Sequence, residues 1–211
     1  FKEHHSYMEK RIVRFSACDG LKLELTPEIK HLFRNNDFKW KKAVVGCAVS
    51  HNNLWAQLSQ KEDGYSYLIL EDDVRFHPQW LQIWEHASKM IPADADVIYL
   101  GGILPPNKAA FATAIEPIND FFVKIKENDV FHPGIKRKYF HSCNYSYILF
   151  ARGAKKLQKI IEEKGIFTSG DHMIVNHMES LNIYFSRNIP ITASSMDLDT
   201  TTLDQYAIFM L

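Results

Sequence analysis

Cysteine is scarce in this 211-residue chain: Cys18, Cys47 and Cys143 are odd in number and show no paired Cys-x-x-Cys spacing. That argues against a disulfide scaffold and a thiolate zinc knuckle, and it favours a reducing compartment. The expected location is the cytoplasm, or the endoplasmic reticulum lumen if the chain is part of a longer secretory-pathway protein. No stretch approaches the ~18 apolar residues of a membrane helix, which leaves peripheral contact as the form of bilayer association open to it. Neither sign of charge dominates; 25 basic against 25 acidic residues exclude bulk electrostatic binding of nucleic acid. The one dense basic run, Lys136-Arg137-Lys138, reads as a solvated loop or as a contact for an anionic acceptor. Repeats and low-complexity tracts are absent, and the opening Phe-Lys-Glu-His-His does not have the layout of a signal peptide. Two catalytic signatures are also missing, the Gly-x-Ser-x-Gly elbow and the His-Glu-x-x-His zinc helix.

What the chain does have is an apolar run that stops on three adjacent acids: Ser66-Tyr-Leu-Ile-Leu-Glu71-Asp72-Asp73-Val74. The run has the length and composition of a buried strand. Three carboxylates side by side cannot all ionise cheaply without a cation. Ligands of open α/β sheets bind beyond the carboxyl ends of the strands, and oxygen donors there suit a hard ion such as Mg²⁺ or Mn²⁺. The alternative is a solvated acidic turn that merely closes the strand. Val74 and Phe76 beyond the acids place this turn against the core.

The length suits one domain, spanning residues 1–211. Strands are expected at 12–18, 66–70, 96–100, 145–150, 183–186 and 189–193. Helices are expected to start at Thr26-Pro27-Glu28 and at His77-Pro78, and to span 47–60, 152–164 and 171–181. Trp80, Leu81, Ile83 and Trp84 are expected to give the helix after Pro78 a broad buried face. This alternation predicts an α/β fold with a mainly parallel central sheet flanked by helices. Residues 103–141 hold four of the eight prolines and no sustained periodicity, so they read as a functional insertion. Asn144-Tyr145-Ser146 fits a glycosylation sequon but lies in an apolar aromatic segment, and reads as a chance match.

Several local patterns, taken in order, resemble glycosyltransferase family 25, which includes lipooligosaccharide and collagen galactosyltransferases. They are Arg14-Phe15-Ser16-Ala17-Cys18-Asp19-Gly20, then Gly46-Cys47-Ala48-Val49-Ser50-His51 with Leu54-Trp55, then Leu70-Glu71-Asp72-Asp73-Val74. Tyr99-Leu100-Gly101, Tyr147-Ile148 and Gly153-Ala154 continue the likeness, which runs from about residue 12 to about residue 195. One departure is plain: the family's opening strand with Ile-Asn-Leu and its arginine-rich turn do not appear.

The resemblance implies a GT-A-type nucleotide-sugar fold, a UDP-sugar donor carrying galactose or glucose, and Mn²⁺ or Mg²⁺. It also implies inversion at the anomeric carbon and a saccharide or hydroxylysine-type acceptor. Asp73 is then the candidate metal ligand. Glu71, on the same side of an extended turn, either binds the metal through water or holds the donor's ribose or sugar, and Asp72, which points elsewhere, is a further candidate for cofactor binding. Asp171, at a helix start after Gly170, is the candidate base for the acceptor hydroxyl; its rival reading is a helix cap shared with Ser169. Gly46, Ser50 and His51, read as lying near a helix N-terminus, are candidate donor-binding residues, against a plain cap and a core histidine. Asp19 is a candidate for uridine or ribose, or a turn residue. His172, His177, Asp197 and Asp199 are weaker candidates to complete a metal shell. Two other classes stay open: a metal-dependent phosphoester hydrolase and a non-catalytic, transferase-like carbohydrate-binding domain.

Overall fold

The computed structural model describes residues 12–101, 115–125, 144–187, 191–193 and 205–210. In chain order the first half holds β1 (Ile12–Ser16), α1 (Pro27–Leu32), α2 (Lys42–Ser59), β2 (Ser66–Glu71), β3 (Val74–Phe76), α3 (Trp80–Ala87) and β4 (Val97–Tyr99). The second half holds β5 (Ile115–Pro117), β6 (Phe122–Ile125), β7 (Ser146–Phe150), α4 (Ala151–Lys164), α5 (Gly170–Val175), β8 (Ile183–Ser186), β9 (Ile191–Ala193) and β10 (Gln205–Met210).

The class is α/β, but the expectation of a mainly parallel sheet is corrected. The large sheet has the order β1-β10-β2-β7-β4-β8-β6-β5, and among the described residues only β4 and β8 pair in parallel. The other pairings are antiparallel. The physical reason is that β7 and β10 insert between β1, β2 and β4 and run against them. Followed through the registers, β1, β2, β4 and β8 still point the same way, so their carboxyl ends meet at one edge of the sheet.

Both faces of the sheet are apolar. Tyr67, Ile69, Tyr147, Leu149, Val97 and Tyr99 pack beneath α2, α4 and α5. Leu68, Leu70, Ile148, Ile98 and Leu100 pack on the other side with Val74, Phe76 and Trp80. Burial on both faces is what makes β2 read as an unbroken apolar run.

Several element boundaries differ from expectation for local reasons. Helix α3 begins at Trp80 and buries only Trp80 and Ala87, with Leu81 53% exposed, so its broad buried face is not formed. Helix α5 ends at Val175, where Asn176 turns back to bond the His172 carbonyl at 2.7 Å. Part of the irregular stretch 103–141 is a hairpin, β5–β6, whose turn is held by Asn119 Oδ1 accepting from the N–H groups of Phe121 and Phe122 at 3.0 Å. The remainder of that stretch, the basic run 136–138 and the tail acids Asp197, Asp199 and Asp204 lie outside the described residues. Asn144 and Ser146 are buried, in keeping with a chance sequon.

Helix α2 starts at Lys42, not after Gly46. Gly46 lies inside it because the backbone of the loop after β1 passes there. A Cβ on Gly46 would sit 2.6 Å from Gly20 N and 2.7 Å from the Cys18 carbonyl oxygen, and one on Gly20 would run into the Lys42 carbonyl. Ser50 Oγ completes the junction, accepting from Cys18 N at 2.9 Å and donating to the Gly46 carbonyl at 2.8 Å. Gly46→Ala should therefore destabilise the protein by about 1–3 kcal/mol through overpacking, although alanine is the better helix former by about 1 kcal/mol. Urea unfolding of the variant against the parent measures this, and an equal or higher midpoint contradicts the close-approach argument.

Candidate active site at the strand ends

The carboxyl ends of β1, β2 and β4 bring three segments to one rim. The registers Phe15↔Tyr206 and Tyr206↔Glu71 set the end of β1 level with Glu71. Glu71 N donates to the Tyr145 carbonyl at 2.9 Å, and Leu100 N to the Ser146 carbonyl at 3.1 Å. Glu71 closes β2, and Asp72 and Asp73 form the turn into β3.

Below this rim His51 rises from the buried side of α2, itself 1% exposed. Its Nδ1 lies 2.8 Å from the Tyr147 hydroxyl, and its Nε2 lies 3.7 Å from Glu71 Oε1. Trp55, one turn further along α2, donates its indole N–H to the same Tyr147 oxygen at 2.9 Å. Burial opposes a charged His51 ring, but the Tyr147 hydroxyl, the Cys47 thiol and the Glu71 carboxylate outweigh it and hold its pKa well above the ordinary histidine value.

Helix α5 closes the group. A Cβ on Gly170 would meet His51 Cδ2 at 3.5 Å and Asn144 Nδ2 at 3.8 Å, so the residue before Asp171 packs directly on the His51 ring. Tyr99, whose ring centroid is 6.1 Å from that of Tyr147, is raised well above the usual tyrosine pKa by burial and then by Tyr147 and the Asp171 charge. Asp171 Oδ1 accepts from the N–H of His172 at 3.0 Å, and Ser169, at the cap position, makes no side-chain cap bond. Asn144 is 3% exposed, and among the described residues neither its amide nitrogen nor its amide oxygen has a hydrogen-bond partner.

The structure thus brings His51 and Glu71 together from distant parts of the chain, with Asp72 and Asp73 beside Glu71 and with Gly170, which precedes Asp171, against the His51 ring. Gly46 and Ser50 are instead in contact with the loop after β1, which carries Asp19. The idea that Gly46, Ser50 and His51 offer helix N-terminal amides to a phosphate is corrected: counted from Lys42 they are the fifth, ninth and tenth residues of α2, where backbone N–H groups are already bonded within the helix. Asp19 is exposed, its Oδ1 accepts from Leu21 N at 3.0 Å and its Oδ2 lies 3.2 Å from Lys22 Nζ. That Lys22 contact, followed by the Leu21 N–H, lowers its pKa.

The turn offers carboxylate oxygens, the donor type that hard divalent ions take. Burial, followed by the like charges of Asp73 and Glu71, pushes Asp72 above the usual carboxylate range. Among the described residues no three His, Cys, Asp or Glu side chains are grouped to enclose a metal. Sequence reasoning did not single out Tyr147, Trp55, Tyr99 or Asn144 as site residues. Trp55, Tyr99 and Tyr147 do lie in the patterns that resemble the family, and all four put a polar group into an otherwise apolar buried segment.

His177 is placed elsewhere, buried with its ring stacked on Phe167 at 5.8 Å, and among the described residues neither ring nitrogen has a hydrogen-bond partner. Burial lowers its pKa, so the folded protein resists protonating a ring that the unfolded chain protonates at about 6.5. Its contribution to stability is present above about pH 6.5 and is lost as pH falls toward the lower folded pKa. His177→Phe should therefore lose less stability than the parent between pH 7.5 and 5 in urea titrations. An identical pH dependence contradicts this.

Residues 4–174 match glycosyltransferase family 25 (LPS biosynthesis protein). The chain belongs to that family. It is 27% identical over 142 residues to a protein of Acanthamoeba polyphaga mimivirus named as glycosyltransferase R655, covering 67% of this chain and 41% of that one. It is 26% identical over 143 residues to procollagen galactosyltransferase 1-A of Xenopus laevis, covering 65% of this chain and 20% of the other. Procollagen galactosyltransferase 1-B of the same animal is 29% identical over 119 residues, covering 54% and 16% respectively. The chain therefore spans well under half the length of these relatives. No helix among the described residues is long and apolar enough to cross a membrane.

Proposed function

We propose that this chain is a metal-dependent inverting glycosyltransferase of GT-A type, which moves galactose or glucose from a UDP-sugar to a saccharide or hydroxylysine-type acceptor. The observation that carries this reading is the meeting of Glu71-Asp72-Asp73 and His51 at one strand-end rim, with Gly170, which precedes Asp171, against the His51 ring. The galactosyltransferase names of two relatives support the choice of sugar.

In this reading Asp73 and Glu71 hold Mn²⁺ or Mg²⁺. When bound, such an ion offsets the negative charge that gathers on a departing diphosphate. Asp171 accepts the proton of the acceptor hydroxyl as that oxygen attacks the anomeric carbon from the side opposite the diphosphate, which inverts the configuration. Asn144, beside Gly170 and with an amide unsatisfied among the described residues, hydrogen-bonds hydroxyl groups of the transferred sugar. Asp19 contributes to nucleoside binding on the loop that Gly46 and Ser50 hold in place. Residues 103–141 form the acceptor side.

Calorimetric titration of UDP with Mn²⁺, repeated with chelator, tests the donor site. Asp73→Asn should abolish Mn²⁺-dependent UDP binding while leaving the unfolding midpoint within the range of surface substitutions, about 0.5 kcal/mol. Undiminished binding would remove Asp73 from the metal site. Asp171→Asn should lower turnover of UDP-galactose by about 10²–10⁴-fold with UDP affinity little changed. A large loss of UDP affinity would instead make Asp171 a donor-binding residue.

A further inference from the structure

The Tyr147 hydroxyl sits between two side chains of α2, and the bonding rules of its partners limit where protons can lie. An indole N–H only donates, so at 2.9 Å the Tyr147 oxygen must accept from Trp55. The same oxygen lies 2.8 Å from His51 Nδ1. In a neutral ring, either Tyr147 donates to a bare Nδ1, or Nδ1–H donates to Tyr147. The second arrangement would set a bare Nε2 against the Glu71 carboxylate at 3.7 Å, two acceptors face to face. The first places the ring proton on Nε2, directed at Glu71. A doubly protonated ring also directs Nε2–H at Glu71. Among the Tyr147, Trp55 and Glu71 contacts, every arrangement free of that repulsion presents an N–H to this carboxylate.

Burial makes the device rigid. Tyr147 and Trp55 are fully buried and His51 is 1% exposed, while the Glu71 side chain is 31% exposed. One carboxylate oxygen is thus approached from the core, and the group remains open toward the rim. We propose that Tyr147, backed by Trp55, is a positioning residue that fixes the ring proton of His51 on the side of Glu71 and so orients this carboxylate for the bound metal–diphosphate. The inference rests on the donor-site reading of Glu71 given above. It also changes the role of His51 from a donor contact to the link between the core and that carboxylate.

Two measurements test it. Nitrogen-15 NMR of the His51 ring in the ligand-free chain, assigned by its loss in His51→Gln, should show Nε2 protonated. A neutral ring carrying its proton on Nδ1 overturns the proposal. UDP titrations with Mn²⁺ on the parent, Tyr147→Phe, Glu71→Gln and the double variant then form a cycle. Tyr147→Phe should weaken UDP about 10–100-fold, the range for losing a group that orients a metal ligand. In the Glu71→Gln background the same change should have less than about a twofold effect, because Tyr147 acts through Glu71. Full additivity overturns the proposal and makes Tyr147 a packing residue only. If Tyr147→Phe does not fold, Trp55→Phe, which removes only the indole N–H donor, takes its place in the cycle with the same expectation. A parent chain that binds no UDP with Mn²⁺ overturns the donor-site reading and this inference with it; a binding parent with an additive cycle overturns the inference alone.

Discussion

Covering both faces of the central sheet with apolar side chains is the constraint on which the rest of the structure depends. Tyr67, Ile69, Tyr99 and Tyr147 occupy the layer under α2 and α4, and Leu68, Leu70, Ile98 and Ile148 occupy the opposite one. A charge inside either layer would be desolvated at high cost. Carboxylates therefore gather where strands end, and Glu71, Asp72 and Asp73 are half-buried at that rim. Some of the polar groups that remain inside are paired with one another. Tyr147 is the clearest case: fully buried, it uses its hydroxyl on both His51 and Trp55.

Much of the fold was legible because it is local. Thr26-Pro27-Glu28 opens α1 as its residue types dictate, with Thr26 Oγ1 accepting from Ile29 N at 3.4 Å. The strand over residues 66–70 and the helix over residues 152–164 fall within one residue of their expected bounds. The direction of strand pairing was not legible. Alternating strands and helices suggested crossovers and hence a parallel sheet, but β7 runs back between β2 and β4. Strand β10 was not anticipated at all, and it separates β1 from β2. The rule that ligands bind at strand carboxyl ends still applies, because β1, β2, β4 and β8 point alike whatever lies between them.

The candidate site divides in the same way. Glu71, His51 and Asp171 stand out as residue types that an apolar core does not tolerate unassisted, and the fold brings the first two together and sets Gly170, which precedes Asp171, against the His51 ring. Gly46 and Ser50 also stood out, but their reason is different. One makes room for the backbone of Cys18–Gly20, and the other bonds it. A sequence does not distinguish a glycine that faces a phosphate from one that faces a second glycine, since both positions demand a missing side chain. Nor does it reveal Tyr147 as the partner of His51. These residues are 96 positions apart, and a tyrosine in a buried strand is ordinary for its aromatic bulk alone.

A second acidic residue shows why the rim reads as a site for a cation. Asp96, just before β4, is fully buried, yet its Oδ2 accepts from Lys156 Nζ at 2.6 Å and from Asn182 N at 2.8 Å, with Arg152 at 3.7 Å from Oδ1. Protein cations and an amide match that charge, and the carboxylate ties α4 and the start of β8 to β4. Across the sheet, at the carboxyl end of β2, the arrangement is reversed. Asp72 is surrounded by further negative charge, and burial together with Asp73 and Glu71 raises its pKa. The same chain thus neutralises an acid where it needs a fixed joint, and it accumulates like charge where three segments meet around an open rim. Accumulated like charge costs stability in the absence of a counter-ion. In the function proposed above, a hard cation arriving with a diphosphate would remove that cost, which would give the acidic turn a use that a structural role alone does not supply.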